Sequence, residues 1–477
     1  MARFAILAAT LCCGCAQLFG LDETTGVQAA SLTVQRASVG ARVVLAPQDL
    51  SASTGKYLVP DEADPTGLLS VPVAQAEPGL WVAPVTGATP ILFDLPDYPK
   101  PVLRLFDFPR PAVQALFAVL EHPNPQPAPM NATLTVNVTL DAPTTGAERF
   151  ELLTLGSWNT LALAAPAAGG TALAQTFPFT AMTPITGRMP LERITADDAV
   201  VVLRYVGNEL QGAFRAPPFE QTDADTITGT MAAVKIDPFT VAIDQPDLLR
   251  RYSAARPPVG TPTTSWTLRA APGAQLNIDN GPLLTAGTPT DMATISSQAG
   301  NPFAPDWPST LLWQTQAARS YTPPTAGLPA SLLAGMSERA VLAPGLEMKL
   351  PAGLPSKIAI GAVSLETDGA TLPRPTRAVE VTFMTDVPTN TLYQLQLLKL
   401  VPNAGNTALV TELKLSATGA APRFVLPPEL FEPNALYTLR AGAVQGGFPG
   451  VAAADLTQRE LPLASSFLDS GVFLVMP

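Results

Sequence analysis

From Asn131 to Leu140 the chain alternates without a break. Ala132, Leu134, Val136, Val138 and Leu140 are apolar, and Thr133, Thr135, Asn137 and Thr139 stand between them. Successive side chains of an extended strand point to opposite faces, so a period of two gathers every apolar residue on one side. That pattern predicts an antiparallel sheet with one buried face and one wet face. The stretches Ser31–Arg36, Ala41–Leu45, Ala199–Tyr205, Trp266–Ala270 and Val379–Thr385 are of the same kind. All are short and separated by clusters of Pro, Gly, Asn and Asp, the spacing expected of β-sandwiches. Helical spacing is confined to two segments. One is Pro111–Glu121, with Val113, Leu116, Phe117 and Leu120 on one face; the other is Pro246–Ser253. The predicted fold class is therefore all-β: tandem antiparallel β-sandwich domains with few short helices.

Composition agrees that the chain folds. Charged residues make up only 14% and hydrophobic ones 47%, the reverse of a disordered composition. Prolines number 51 in 477 residues, about twice the usual ~5%. A net charge of −11 opposes nucleic acid, and no Lys/Arg stripe offsets it. The length is enough for several domains. Shifts in pattern divide the chain into 28–125, 126–235, a Pro-rich irregular β region at 236–354, and 355–477. Within the first of these, Leu92-Phe-Asp-Leu-Pro96 is echoed by Leu105-Phe-Asp-Phe-Pro109. Five residues are too few for a repeat architecture. They predict two neighbouring strands joined by a turn at Asp97–Pro101.

The N-terminus carries a different kind of information. Arg3 precedes an apolar run from Phe4 to Leu11, followed by Cys12, Cys13, Gly14 and Cys15, and no cysteine occurs after that. The run is far shorter than the ~20 residues a spanning helix needs, and its layout is that of a secretory signal. The Gly14-Cys15 ending resembles the lipobox of bacterial lipoproteins. Leu11 stands four residues before Cys15 rather than the usual three; Cys13 and Cys12 are the alternative sites, and an ordinary cleaved signal is the alternative reading. The resemblance implies a signal peptide at 1–14, a lipidated Cys15 and a tether over 15–27. More than one acyl chain would make such an anchor lasting. Ala16 and Gln17 lack the aspartate that retains many such lipoproteins at the inner membrane, which implies the outer membrane. A mature chain of this kind can form no internal disulfide.

Near the other end, Phe431-Glu-Pro433-Asn-Ala-Leu-Tyr437-Thr-Leu-Arg-Ala resembles the tyrosine corner of fibronectin type III-like sandwiches. The resemblance covers about 120 residues and implies that the Tyr437 hydroxyl bonds backbone just upstream, with Pro433 in the turn. It departs from the family in having no early core tryptophan and a long stretch after Val444. Domains of this class serve as spacers or recognition modules, and fold alone does not choose between these.

Chemical motifs are sparse. The single histidine, His122, lies in Leu120-Glu-His-Pro and reads as a surface or turn residue. Gly335-Met-Ser337-Glu-Arg339 lacks the second glycine of a nucleophile elbow. There is no phosphate loop, dinucleotide fingerprint or metal-ligand cluster. The acids Asp61, Glu62 and Asp64, the pair Asp197 and Asp198, and the pair Asp223 and Asp225 lack calcium-loop spacing and read as solvated turn acids. Asn131 and Asn137 match the glycosylation acceptor pattern and read as outward strand positions. Trp307 and Trp313 lie in a loop-rich aromatic stretch and are the candidate ligand platform, with a buried core as the competing reading. A membrane barrel fits poorly, since 7 Tyr and 5 Trp are few for two aromatic girdles.

The expectation is a non-enzymatic cell-envelope lipoprotein, structural or binding a protein or polysaccharide, with no cofactor and no metal. The alternatives are a dedicated carbohydrate-binding lipoprotein using Trp307 or Trp313, and a carboxylate-dependent polysaccharide hydrolase, which needs only two acids at a fixed separation.

Overall fold

The computed structural model describes residues 30–477 except 50, 52–54, 61–67, 84–90, 96–101, 108–111, 124, 186–188, 279–280, 290, 325–327, 351, 387–391, 404 and 419–421. Strands dominate this region, and no helix among the described residues is long and apolar enough to cross a membrane.

The C-terminal part packs two sheets face to face. In one, Val379–Met384 lies between Ser356–Ile360 and Arg423–Leu426. In the other, the order is Thr407–Ala417, Leu392–Pro402, Leu436–Gly446 and then Phe473–Met476, with Leu463–Asp469 sharing that last flank. Strands 356–360, 379–384 and 423–426 against 407–417, 392–402, 436–446 and the C-terminal pair 463–469 and 473–476 make the fibronectin type III-like or Ig-like arrangement. Ile358, Ile360, Val381 and Phe424 from the first sheet meet Leu395, Leu397, Leu413, Tyr437 and Phe473 from the second in one buried core. Phe383 closes edge-on against Tyr393, 6.2 Å between ring centres.

The alternating stretch 131–140 forms the strand Thr133–Thr139 with Leu134, Val136 and Val138 buried. It pairs antiparallel with Ala172–Pro178 on one side and parallel with Ala224–Thr230 on the other. Its apolar face packs on a second sheet through Phe150, Leu152, Val200 and Val202. The opposite face of that second sheet sends Leu153, Leu155, Val201, Leu203 and Tyr205 into the main core. The strands Glu148–Leu155 and Ala199–Val206 are thus covered on both sides, which is why 199–203 is apolar without alternation. Arg204 is buried there and is matched by Asp141 at 3.0 Å and Glu148 at 2.9 Å.

Of the two predicted helices, one forms. Gln245–Ser253 is helical, with the Asp244 carboxylate accepting from the Asp247 N–H at 3.2 Å and Pro246 in its first turn. These are the residues that start a helix. The other segment is corrected. Residues 112–119 form a strand, Ala112–Val119, paired in parallel with Ala30–Val39 from Ser31↔Ala112 to Ser38↔Val119. Val113 and Ala115 alternate inward there, so pairing with a distant partner overrides the helical spacing. The echoed stretches are the antiparallel neighbours Ile91–Leu95 and Val102–Asp107, Leu92 opposite Leu105; their turn lies outside the described residues.

Sheets also cross the segment limits drawn from the sequence. Ala330–Val341 pairs antiparallel with Leu463–Asp469, and Val102–Asp107 pairs in parallel with Thr407–Ala417.

Candidate functional site

A buried cluster of ionisable groups sits where the N-terminal strands meet the doubly covered sheet. Strand 112–119 ends just before His122. The turn 156–158, between strand 148–155 and Asn159–Leu163, rises against it, and the 192–198 segment completes the ring. Gly156 stands at φ +127°, and a Cβ there would fall 1.7 Å from Asp198 Oδ1 and 3.1 Å from His122 Nε2. Only glycine leaves room for that pair. Trp158, itself at φ +50°, donates its indole N–H to the Val39 carbonyl and fastens the end of the first strand to the turn.

His122 is 8% exposed, which corrects its reading as a surface residue. Its Nε2 lies 2.6 Å from Asp198 Oδ1, and its Nδ1 lies 3.2 Å from Glu192 Oε2. Its backbone N–H donates to the same Glu192 oxygen at 3.2 Å. The Thr195 N–H holds the other Asp198 oxygen at 3.0 Å. Burial alone would pull the imidazole pKa down, but the hydrogen bonds and charge of Asp198 and Glu192 outweigh it and raise the value to about 9. The ring is therefore protonated at neutral pH, and both nitrogens donate to carboxylates. A general base needs a free ring nitrogen facing its substrate; His122 has none to offer. It acts as a charged cross-link. Around it, Arg36 pairs with Glu121 and Arg42 with Asp197.

Asp198 is likewise corrected: it is buried in this cluster, whereas Asp197 beside it is exposed. Nothing local in the sequence marks Glu192 or Gly156. Asp225 is half-buried at the start of strand 224–230 and accepts from the Thr222 N–H at 2.7 Å, which corrects its reading as a solvated turn acid. Asp61, Glu62 and Asp64 lie outside the described residues, as do Cys12, Cys13, Cys15 and the tether. Among the described residues no group of three or more His, Cys, Asp or Glu is placed to hold a metal ion. Ser337 sits mid-strand with its hydroxyl 2.8 Å from that of Ser465, so no elbow forms. Asn131 and Asn137 face outward.

The aromatic platform is a correction. Trp307 is 2% exposed and Trp313 is fully buried. Asn301 folds the loop inward by donating to the Trp307 carbonyl at 2.7 Å and accepting from the Phe303 N–H at 2.9 Å. Trp307 then stacks on Phe303 at 4.8 Å, with the Arg215 guanidinium 5.1 Å from its ring. Trp313 lies opposite Trp266 on the neighbouring strand. Neither ring leaves a face for a sugar, because both are core.

Tyr437 occupies the position the tyrosine-corner resemblance implies. Its hydroxyl donates to the Leu430 carbonyl at 3.1 Å and accepts from the Glu432 N–H at 3.0 Å. Pro433 and Asn434, the latter at φ +63°, turn the chain between them.

No family model matches the chain. Nor does any curated protein. The solved structures it matches include the FN1–FN3 domains of chicken CNTN1, 7% identical, over 93% of this chain and 96% of that one, with a TM-score of 0.13. The fold assignment rests on the strand pairing and the corner described above.

Proposed function

We propose that the chain is a non-enzymatic cell-envelope lipoprotein, anchored through Cys15 at the outer membrane, whose folded part serves as a structural or binding module for a protein or polysaccharide. The observation that carries this reading is the fibronectin type III-like sandwich with its closed corner, tied by shared sheets to the strands that precede it. Such a body presents surfaces in fixed relation, which suits a spacer or recognition module. The engagement of both His122 nitrogens supports the non-enzymatic side. The buried Trp307 and Trp313 remove the one aromatic platform on which a dedicated carbohydrate-binding reading stood.

The test is made in a Gram-negative host fed a clickable palmitate analogue. The chain should take up label and sediment with membranes, and Cys15→Ser should lose both. Absence of label on the unaltered chain would remove the lipoprotein reading. New reducing ends on incubation with envelope polysaccharides would overturn the non-enzymatic one and direct the search to an acid pair.

A further inference from the structure

A cavity of about 350 Å³ opens between strand 112–119 and the sheet that carries Leu392 and Gln394. Leu116, Ile278, Leu392 and Phe448 form its apolar wall, and Arg459 enters from the segment after strand 436–446. That segment is fixed over the strand edge by two backbone bonds, Gln114 N–H to Ala454 O at 2.9 Å and Leu456 N–H to Gln114 O at 2.8 Å. Arg459 is therefore placed there by structure on both sides.

The guanidinium is only partly satisfied. It donates to the Leu276 carbonyl at 3.2 Å and to the Leu116 carbonyl, and lies 5.4 Å from the Phe448 ring. Its buried Nε has no partner, and no carboxylate among the described residues pairs with it. Burial alone pushes its pKa down to about 10, as expected of a cation without a counter-charge. Arg204, whose Nε likewise lacks a partner, has two acids at its other nitrogens; half-buried Arg459 has none. A half-buried charge with no counter-charge is costly to the fold, and a guanidinium presents five donors in a fork that fits a carboxylate.

We propose that this cavity binds a monocarboxylate with an apolar chain, Arg459 taking the carboxylate and the Leu116–Leu392 wall taking the chain. Gln394 and Ser416 also line the cavity, but Arg459 is the only cation among its described lining residues, and one cation matches one negative charge better than the two of a phosphate monoester. The volume lies at the small end of the range for small-molecule pockets, about 300–1,000 Å³, and decanoate is taken as a short-chain probe of it. The site lies wholly in the described fold and does not depend on the lipid anchor.

The test uses the full chain with Cys12, Cys13 and Cys15 changed to Ser, so that no detergent competes for the cavity. Equilibrium dialysis with radiolabelled decanoate should show one saturable site per chain. Decanol, of equal length but uncharged, should compete at least tenfold more weakly. Arg459→Gln should weaken decanoate at least tenfold, and Ala118→Trp, which fills the cavity, should abolish it. Circular dichroism checks that each variant folds. If Arg459→Gln does not, the comparison of decanoate with decanol on the unaltered arginine decides. Equal competition by decanol, undiminished binding by a folded Arg459→Gln, or no saturable decanoate binding would each overturn the proposal.

Discussion

A histidine held between two carboxylates stabilises the folded chain only while it carries its proton. His122 has a folded-state value of about 9 against an ordinary 6.5, so the folded state holds the proton more tightly than the unfolded one. The contribution is complete below about pH 6.5 and fades as the pH rises through 9. Its size, discounted for partial access of water, is on the order of 2 kcal/mol. Denaturant titrations between pH 6 and 9.5 should show the unaltered chain losing stability across this window relative to His122→Gln. A constant difference between the two across the window would mean that the cross-link carries no charge. None of this was legible around residue 122, because Glu192 and Asp198 lie 70 and 76 positions away. Only the backbone demand at Gly156 could have drawn attention, and a glycine between strands looks like any turn. For Trp307 and Trp313 the sequence left platform and core both open, for a related reason: the turn that carries Trp307 inward is made by Asn301, and Trp313 is buried by strand pairing with Trp266.

Among the elements, the corner at 430–437 was legible because its chemistry is local. One hydroxyl serves two backbone groups within seven residues, and the spacing of Phe431, Pro433 and Tyr437 encodes that closure. Tyr437→Phe keeps the ring in its pocket against Phe431 and Phe473 but strands the Glu432 N–H and the Leu430 carbonyl. It should lower the unfolding free energy by about 1–2 kcal/mol without changing the far-ultraviolet circular dichroism. A loss below about 0.3 kcal/mol would show that water replaces the hydroxyl at no penalty. The helix 245–253 was legible from Pro246 at its start; the Asp244 cap was found only in the structure. Strand 112–119 was not. Val113, Leu116, Phe117 and Leu120 fit a helix as well as a half-buried strand, and the choice was made by strand 30–39, eighty residues earlier.

At the scale of the whole molecule, all-β architecture follows from alternation and turn spacing, but strand partners do not, since a period of two says nothing about which strand lies alongside. The pairing of 330–341 with 463–469 and of 102–107 with 407–417 therefore had no sequence marker. It has a measurable result. Residues 355–477 expressed alone would expose the flank of strand 463–469 and the edge of strand 407–417, and unpaired edges invite association with further copies. Light scattering should find that fragment self-associating, and addition of residues 263–354 should reduce the association. A monomeric fragment with one sharp thermal transition would show the cross-pairing to be dispensable.

The contact of Arg459 with Leu116 joins positions 343 apart, and strand 102–107 finds its partner at comparable separation. The earliest strands to be synthesised must then wait for nearly the last before their edges close. Topologies dominated by such distant contacts fold slowly and leave sticky intermediates in the interval. During that delay the N-terminal strands are the part of the chain most open to association, and the open edge at 102–107 is where it would begin.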